Sequence, residues 1–275
     1  MATHAVHRAG AELAVCDAGE GVPVLLLHGL TATHRYVVMG STRLERGGHR
    51  VISYDARGHG ASSPARDSSA YGYDELAVDA LAVLDELEVP RAILAGASMG
   101  AHTLLRVALE HPERVGAVVV ITPAYEPGES EDEARLVRWD ALADGLRTGG
   151  VEGFVAAYGE PRVPAGWRDT VLTVIRQRLS LHEHPEAVAD ALSAVPRSRP
   201  FESIAELEQI AVPAAIVASA DEADPEHPQA VGEAYAAAIP GAKLVTDEPG
   251  RSPVAWQGSQ LSAVIADVAA RAGIA

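Results

Sequence analysis

The sequence predicts an α/β fold with a mostly parallel central sheet, flanked by helices and carrying a helical insertion. Short apolar runs alternate with longer helical patterns, which is typical of a parallel sheet covered by helices. Continuous apolar runs such as AVVVI at 117–121 indicate strands buried on both faces. The alternation stops between Pro123 and about Pro200, where the sequence is helical and charged. We therefore predict a core domain, 1–122 and 206–275, interrupted by a helical cap insertion, 123–205.

The elements follow in order along the chain. Gly10 separates the first two runs, which indicates an antiparallel opening pair at 5–8 and 12–17. A helix should end before Pro90, because the residue before a proline disfavours the helical conformation. The remaining strands are expected at 24–27, 50–54, 91–95, 115–121, 214–218 and 242–246. The helices are expected over 73–87, 99–110, 229–239 and 254–270.

Composition and charge exclude several classes of partner. The formal net charge is −16, and Lys243 is the only lysine. Without a basic run, neither nucleic acid nor an anionic membrane is expected as a partner. The single cysteine, Cys16, cannot form an internal disulfide, which favours a reducing compartment and a core position for this residue. No signal pattern and no apolar run of roughly 20 residues occurs, so we expect a cytoplasmic protein.

The sequence GASMG at 96–100 carries the chemistry. It is a G-x-S-x-G sequence between a predicted strand and a predicted helix. A sharp, strained turn at this place projects the Ser98 hydroxyl from the end of the sheet, as a nucleophile requires. The first turn of the helix also points free N–H groups and a positive dipole end toward an incoming oxyanion.

With this motif the chain resembles the α/β-hydrolase superfamily, in its serine-nucleophile, esterase- and lactonase-like branch. HGLT at 28–31 resembles the family's oxyanion loop, with Gly29 beside the substrate and His28 as a structural residue. The resemblance implies that the backbone N–H groups of Leu30 and Met99 stabilise the oxyanion.

A second family segment is architectural. DARGHGAS at 55–62 matches the D-x-R-G-x-G-x-S pattern that follows the next strand. By this resemblance Asp55 and Arg57 should hold the loop in place. His59 is expected to be exposed or to lie behind the site.

The family's acid follows the strand after the insertion, in a G-x-x-D-x-x-x-P pattern. ASADEADP at 218–225 resembles it, with Ala218 in place of the glycine. Asp221 is the preferred acid because of its distance from the strand end. Asp224, followed by Pro228, fits the second half of the pattern equally well and is the alternative acid.

The family's base is missing from its usual place. The resemblance puts a histidine after the last strand, but the chain reads EPGRSP at 248–253, with Arg251 at that position. No histidine occurs between Pro228 and the end of the sequence. A guanidinium has a pKa above about 12 and no acceptor atom, so Arg251 cannot take a proton from Ser98.

Three interpretations of the missing histidine remain open. A histidine from another loop can replace the base: His227 keeps the chain order of the triad, His182 and His184 lie in the insertion, and His102 is expected to pack in the core. Alternatively, Arg251 binds a carboxylate or an enolate in lyase, isomerase or cyclase chemistry. The third reading is ligand binding without turnover.

Hydrolysis of a small ester, thioester or lactone through Ser98 is the predicted function. No metal-ligand cluster or phosphate loop occurs in the sequence, so no cofactor is expected, and the only partner implied is a small-molecule substrate. Oligomeric state is not indicated. Four aromatic residues of the insertion are expected either to line the substrate pocket or to pack the insertion onto the core: Trp139, Phe154, Tyr158 and Trp167.

Overall fold

Eight strands of the described residues form one sheet in the order β1-β2-β4-β3-β5-β6-β7-β8. This computed structural model describes residues 2–8, 10–220, 224–247 and 256–274. The first two strands pair antiparallel, as does β2 with β4, and every later pairing is parallel. The strands are β1 Ala2–Arg8, β2 Ala11–Ala18, β3 Val22–Leu27, β4 His49–Tyr54, β5 Ala92–Ala97, β6 Val115–Ile121, β7 Ala214–Ala218 and β8 Lys243–Thr246.

Helices cover both faces of this sheet. The α-helices are α1 Arg43–Arg46, α2 Tyr73–Glu86, α3 Met99–Glu110, α4 Glu133–Tyr158, α5 Arg168–Leu179, α6 Pro185–Ala194, α7 Gln229–Ala238 and α8 Gly258–Arg271. Strand β6 shows why two faces need cover, because all seven of its residues are buried. Val118 and Val120 pack into one apolar cluster, whereas Val119 and Ile121 pack into the other. Side chains alternate across a strand, so a continuous apolar run supplies both cores.

The segment between β6 and β7 contains helices and no strand, as predicted. Its helices α4 and α6 form a small apolar cluster of their own, with Leu142, Phe154 and Leu192 among its buried members. Helix α4 is interrupted at Gly150, where φ is +60°. Leu30 from the core packs against this cluster as well as against the main one. The division into a core domain and a cap insertion stays a prediction.

The predicted elements are confirmed, with differences at their ends. Helix α3 and strands β6 and β7 have the predicted bounds, but β1 begins at Ala2 instead of Ala5. The extra residues are exposed and pair with β2 through the backbone, with His4 Nε2 also 4.0 Å from Asp17 Oδ2, so no apolar pattern marks them. Cys16, expected in the core, is only half-buried. Within the described ranges, no helix is long and apolar enough to cross a membrane.

Candidate active site

Ser98 forms the turn between strand β5 and helix α3. Its backbone lies at φ +50° and ψ −114°, a conformation that L residues rarely adopt and that costs free energy unless neighbouring structure enforces it. Two backbone hydrogen bonds hold the turn: the Ser98 N–H donates to the Ile121 carbonyl at 3.0 Å, and the Ser98 carbonyl accepts from the His102 N–H at 3.0 Å.

Close backbone contacts explain the two glycines of the motif. A Cβ atom on Gly96 would lie 2.4 Å from the Gly100 carbonyl carbon. A Cβ atom on Gly100 would lie 2.1 Å from the carbonyl oxygen of Leu27. Both distances are far shorter than a nonbonded contact allows, so only glycine fits at these positions without moving the strand or the helix.

Two backbone N–H groups near Ser98 are candidates for binding an oxyanion. Gly29 lies next to it, since a Cβ atom on Gly29 would be 3.4 Å from the Ser98 Cβ. The chain then turns, with the Ala32 N–H donating to the Gly29 carbonyl at 3.0 Å. In the part of the chain that the structure describes, the Leu30 and Met99 N–H groups have no acceptor. Free donors at this place can bind a developing negative charge.

A cavity of about 760 Å³ opens over Ser98, within the size range of small-molecule sites. Leu30 and Met99 line it together with Ser98, and the insertion supplies much of its opposite wall. Of the four aromatic residues named from the sequence, Trp139, Phe154 and Tyr158 line the cavity and Trp167 does not.

The same cavity contains a hydrogen-bonded histidine and aspartate. His227 Nδ1 lies 2.8 Å from Asp224 Oδ1, and both side chains line the cavity. The two residues are three apart on a turn in which the His227 N–H donates to the Asp224 carbonyl at 3.3 Å. Because the carboxylate can only accept, Nδ1 carries the proton and Nε2 is left as the basic atom.

The two residues of this pair shift each other's pKa in opposite directions. Burial works against the charge on His227, but the charge and hydrogen bond of Asp224 outweigh it and raise the pKa of His227 above its ordinary value of 6.5. Burial alone would raise the pKa of Asp224, but the charge and hydrogen bond of His227, the charge of Arg178 and the Glu226 N–H together lower it. The Ser98 hydroxyl makes no hydrogen bond to His227 or to any other described residue.

His102 is buried in the core, as expected from the sequence, and forms part of the cavity wall. Its Nε2 accepts from the N–H groups of Ala124 and Tyr125, both at 3.1 Å, and its Nδ1 contacts the Tyr73 hydroxyl at 3.1 Å. Burial lowers the pKa of His102 to about 3. Both ring nitrogens are engaged, so this ring cannot accept a proton from Ser98.

His28 is also structural in its contacts. Its Nδ1 donates to the Gly29 carbonyl at 2.8 Å and its Nε2 accepts from the Ala56 N–H at 2.9 Å. Burial lowers the pKa of His28 to about 4, which keeps the ring neutral. The ring therefore ties the oxyanion loop to the end of strand β4.

The insertion histidines make no hydrogen bond to Ser98, and of the two expected positions of His59, exposed or behind the site, the structure shows the buried one. His182 is buried, accepting from the Gly60 N–H at 2.8 Å and donating to the Thr31 carbonyl at 3.0 Å. His59 packs edge-on against this ring and is fully buried, because a residue over a hundred positions away covers it. His184 is not among the residues that line the cavity.

The second family segment is tied down as expected. Arg57 makes a buried, two-pronged ion pair with Asp79, at 2.7 Å and 2.6 Å. Asp55 accepts from the N–H groups of His34 at 2.8 Å and Ala61 at 3.1 Å. Charge-assisted bonds of this kind are the stronger class of hydrogen bond, which suits a loop beneath a site.

Asp221 and Arg251 lie outside the described residues. The preference for Asp221 over Asp224 therefore stays a prediction, and so does a role for Arg251. Sequence reasoning missed the arginines of the insertion that line the cavity, among them Arg138 and Arg178. They occupy helices rich in surface charge, so no local pattern separates them from solvated arginines.

The amino-acid sequence is similar to those of known hydrolases. A 3-oxoadipate enol-lactonase of Acinetobacter baylyi is 38% identical over 113 residues, which is 40% of this chain and 42% of the lactonase. The chain thus spans less than half the length of the first curated relatives it matches.

Solved structures match over nearly the whole chain. The enol-lactonase from Burkholderia xenovorans LB400 is 26% identical with a TM-score of 0.70, covering 94% of each chain. A hydrolase from Pseudomonas aeruginosa PA01 is 26% identical with a TM-score of 0.74, covering 98% of each chain. The family model for the alpha/beta hydrolase fold matches residues 22–162, about half of the sequence. The chain belongs to the α/β hydrolase fold family.

Proposed function

We propose that this protein hydrolyses a small ester, thioester or lactone, with Ser98 as nucleophile and His227 as the base. The observation that carries the proposal is the shared cavity: Ser98 on its strained turn and the Asp224–His227 pair line one space of about 760 Å³. Named hydrolases among the relatives support hydrolysis as the reaction class.

The steps follow from the positions of the donors and acceptors. Ser98 Oγ attacks the carbonyl carbon while its proton passes to His227 Nε2, directly or through one water molecule. The N–H groups of Leu30 and Met99 bind the oxyanion of the tetrahedral intermediate. The protonated His227 then gives its proton to the leaving oxygen or sulfur, and water releases the acyl group by the same sequence.

Asp224 has two functions in this scheme. Its hydrogen bond to Nδ1 selects the ring tautomer with a basic Nε2 and stabilises the imidazolium that forms during attack. Since Ser98 and His227 are not hydrogen-bonded in this structure, a rotation of the serine side chain or a bridging water completes the relay. Catalytic hydrogen bonds are often long before substrate binds.

An active-site-directed probe tests the proposal. We would treat the protein with a fluorophosphonate and measure intact mass, and assay hydrolysis of 4-nitrophenyl esters and small lactones in parallel. Single-site labelling that disappears in Ser98→Ala and slows strongly in His227→Gln is the expected result. His184→Gln is the matched control, because this histidine lies outside the cavity lining.

Other outcomes assign the alternatives. Labelling that persists in His227→Gln but is lost in Arg251→Ala would overturn the assigned base and favour chemistry that depends on the arginine. Folded protein that neither labels nor hydrolyses any ester would overturn the hydrolase proposal, leaving non-hydrolytic chemistry or ligand binding without turnover.

A further inference from the structure

Arg178, near the end of helix α5, is a charged residue of the cavity with no hydrogen-bond or ion-pair partner among the described residues. It lines the cavity, and its buried Nε atom makes no hydrogen bond. No carboxylate among the described residues forms an ion pair with it. Burial lowers the pKa of Arg178, because the nearby negative charges compensate only part of the lost hydration. Buried guanidinium groups ordinarily have their donors satisfied.

The other arginines that line the cavity are either paired with a carboxylate or exposed at the surface. Arg135 pairs with Glu129, with 3.4 Å between Nη2 and Oε2. Arg138 pairs with Glu226, with 2.6 Å between Nη2 and Oε1. Arg162 lies at the surface and is exposed. Arg178 is thus the cavity arginine with a buried Nε atom that makes no hydrogen bond to a described residue.

The surroundings of Arg178 hold its guanidinium in a defined place. Its terminal carbon lies 5.3 Å from the centre of the Tyr36 ring, a cation–π contact, and Tyr36 also lines the cavity. Asp224 is the acid whose charge acts on Arg178, but its Oδ1 already accepts from His227. A planar, stacked guanidinium suits a flat anion bound through two parallel hydrogen bonds.

We propose that Arg178 binds a carboxylate of the substrate, so that the preferred substrate is an ester, thioester or lactone carrying a carboxylate away from the bond that is cleaved. This inference rests on the proposed function and adds the substrate class. Glu126, Glu129 and Glu226 also line the cavity. Because these carboxylates repel each further negative charge on a ligand, a carboxylate with one charge suits the cavity better than a phosphate dianion.

A competing role for Arg178 makes a different prediction. Its charge also acts on the Asp224–His227 pair and lowers the affinity of His227 for a proton. If Arg178 served only to adjust this pair, its removal would change the hydrolysis of every substrate to the same extent. A carboxylate subsite instead changes the ratio between charged and neutral substrates.

Two substrates of equal length separate these roles. We would measure kcat/KM for 4-nitrophenyl hydrogen glutarate and 4-nitrophenyl pentanoate, which differ by a carboxylate in place of a terminal methyl group. Arg178→Gln should lower kcat/KM for the glutarate ester by about 10- to 100-fold and leave the pentanoate within about threefold. Arg178→Lys should retain part of the preference, since lysine keeps the positive charge but cannot donate two parallel hydrogen bonds.

Arg176→Gln is the matched control, two residues away on the same helix, where the arginine pairs with Glu152 and is exposed. It should leave both rates unchanged. An equal loss on both esters in Arg178→Gln would overturn the subsite, as would a wild-type enzyme with no preference for the glutarate ester. Circular dichroism and Tm identify a variant that has not folded, in which case Arg178→Lys decides.

A binding measurement separates failure of this inference from failure of the proposed function. Glutarate is titrated into the Ser98→Ala variant by calorimetry, with and without Arg178→Gln. Binding that depends on Arg178 supports the subsite even if the fluorophosphonate never labels Ser98. Labelling of Ser98 without glutarate binding would leave the hydrolase intact and overturn the subsite.

Discussion

Two aspartate–histidine pairs in the described part of the chain share nearly the same short contact between Nδ1 and Oδ1. His34 Nδ1 lies 2.9 Å from Asp55 Oδ1, and His227 Nδ1 lies 2.8 Å from Asp224 Oδ1. In the first pair His34 follows strand β3 and Asp55 follows strand β4, and the second pair lies between strand β7 and helix α7. Contact distance alone therefore does not distinguish a structural pair from one available for proton transfer.

Their surroundings differ. The Asp55 side chain is 3% exposed and accepts two further backbone N–H bonds, while the Nε2 atom of His34 contacts Cys16 Sγ at 3.7 Å. Asp224 is 38% exposed, and both it and His227 line the cavity above Ser98. The first pair is held by contacts within the fold, whereas the second lines the cavity that also contains Ser98.

The largest effect should come from replacing the two histidines in turn. His227→Gln should lower kcat on a 4-nitrophenyl ester by about 10³-fold or more, because it removes the atom that takes the proton. His34→Gln should leave kcat within about threefold and act on stability instead, since it leaves a buried carboxylate short of a donor. A folded His34→Gln protein as inactive as His227→Gln would contradict the distinction.

Asp55 should dominate the acid stability of the fold. Burial alone would raise the pKa of Asp55, but the hydrogen bonds from His34 and the charges of His28 and His34 together lower it to about 2, against an ordinary 3.8. The ionised form is thus stabilised by folding, which contributes about 2 kcal/mol above pH 4 and is lost as the pH falls toward 2.

Urea unfolding at several pH values measures this contribution. Asp55→Asn should lower the free energy of unfolding at pH 7 by about 2 kcal/mol and flatten its dependence on pH between 4 and 2. Asp224→Asn is the comparison, and its smaller effect on stability is expected from the greater exposure of that carboxylate. An Asp55→Asn protein that keeps the wild-type acid profile would show that other groups govern it.

The pH dependence of kcat/KM should report the titration of His227 in the Asp224–His227 pair. A base must be neutral, so kcat/KM should fall as the pH drops through the pKa of His227, above the ordinary 6.5. Asp224 raises this pKa through its charge and hydrogen bond, Glu226 adds to it, and Arg178 opposes both. Asp224→Asn should therefore move the acid limb to lower pH as well as reduce the rate. An unmoved limb would exclude His227 as the titrating group.

Much of the fold and half of the candidate site were predictable from local sequence. The Ser98 turn needs only an apolar strand, two glycines and a helix start, all of them contiguous, and the bounds of α3 and β6 follow from the same runs. The Asp224–His227 contact had a local signal too, because residues three apart on a turn can touch. That signal does not say whether the turn faces the cavity.

Long-range packing was not predictable. His59 is buried because His182 covers it, and nothing near either residue in the sequence marks that contact. Arg178 and Arg176 are two residues apart on one helix, yet the first lines the cavity and the second pairs with Glu152 at the surface. Which face of a helix meets the core depends on how the insertion lies over the sheet.

The smallest expected effect concerns the link between the insertion and the loop of the Asp224–His227 pair. Arg138 of helix α4 contacts both carboxylate oxygens of Glu226, at 2.6 Å and 3.3 Å, in the residue beside His227. Both side chains are more than 40% exposed, so the ion pair should contribute no more than about 1 kcal/mol to stability. Arg138→Gln should therefore hardly change Tm but lower kcat two- to fivefold, roughly the scale of such a pair.

Arg147→Gln is the control for this last effect, because Arg147 lies on the same helix and pairs with Asp190, within the insertion. If the Arg138 pair positions the loop, the loss of kcat should appear in Arg138→Gln alone and shrink in wild-type protein as salt is added. Equal effects of the two variants would mean that the insertion influences turnover only through its general stability. Neither variant should affect the Asp55–His34 pair, because the hydrogen-bond donors to Asp55, His34 and Ala61, both lie outside the insertion.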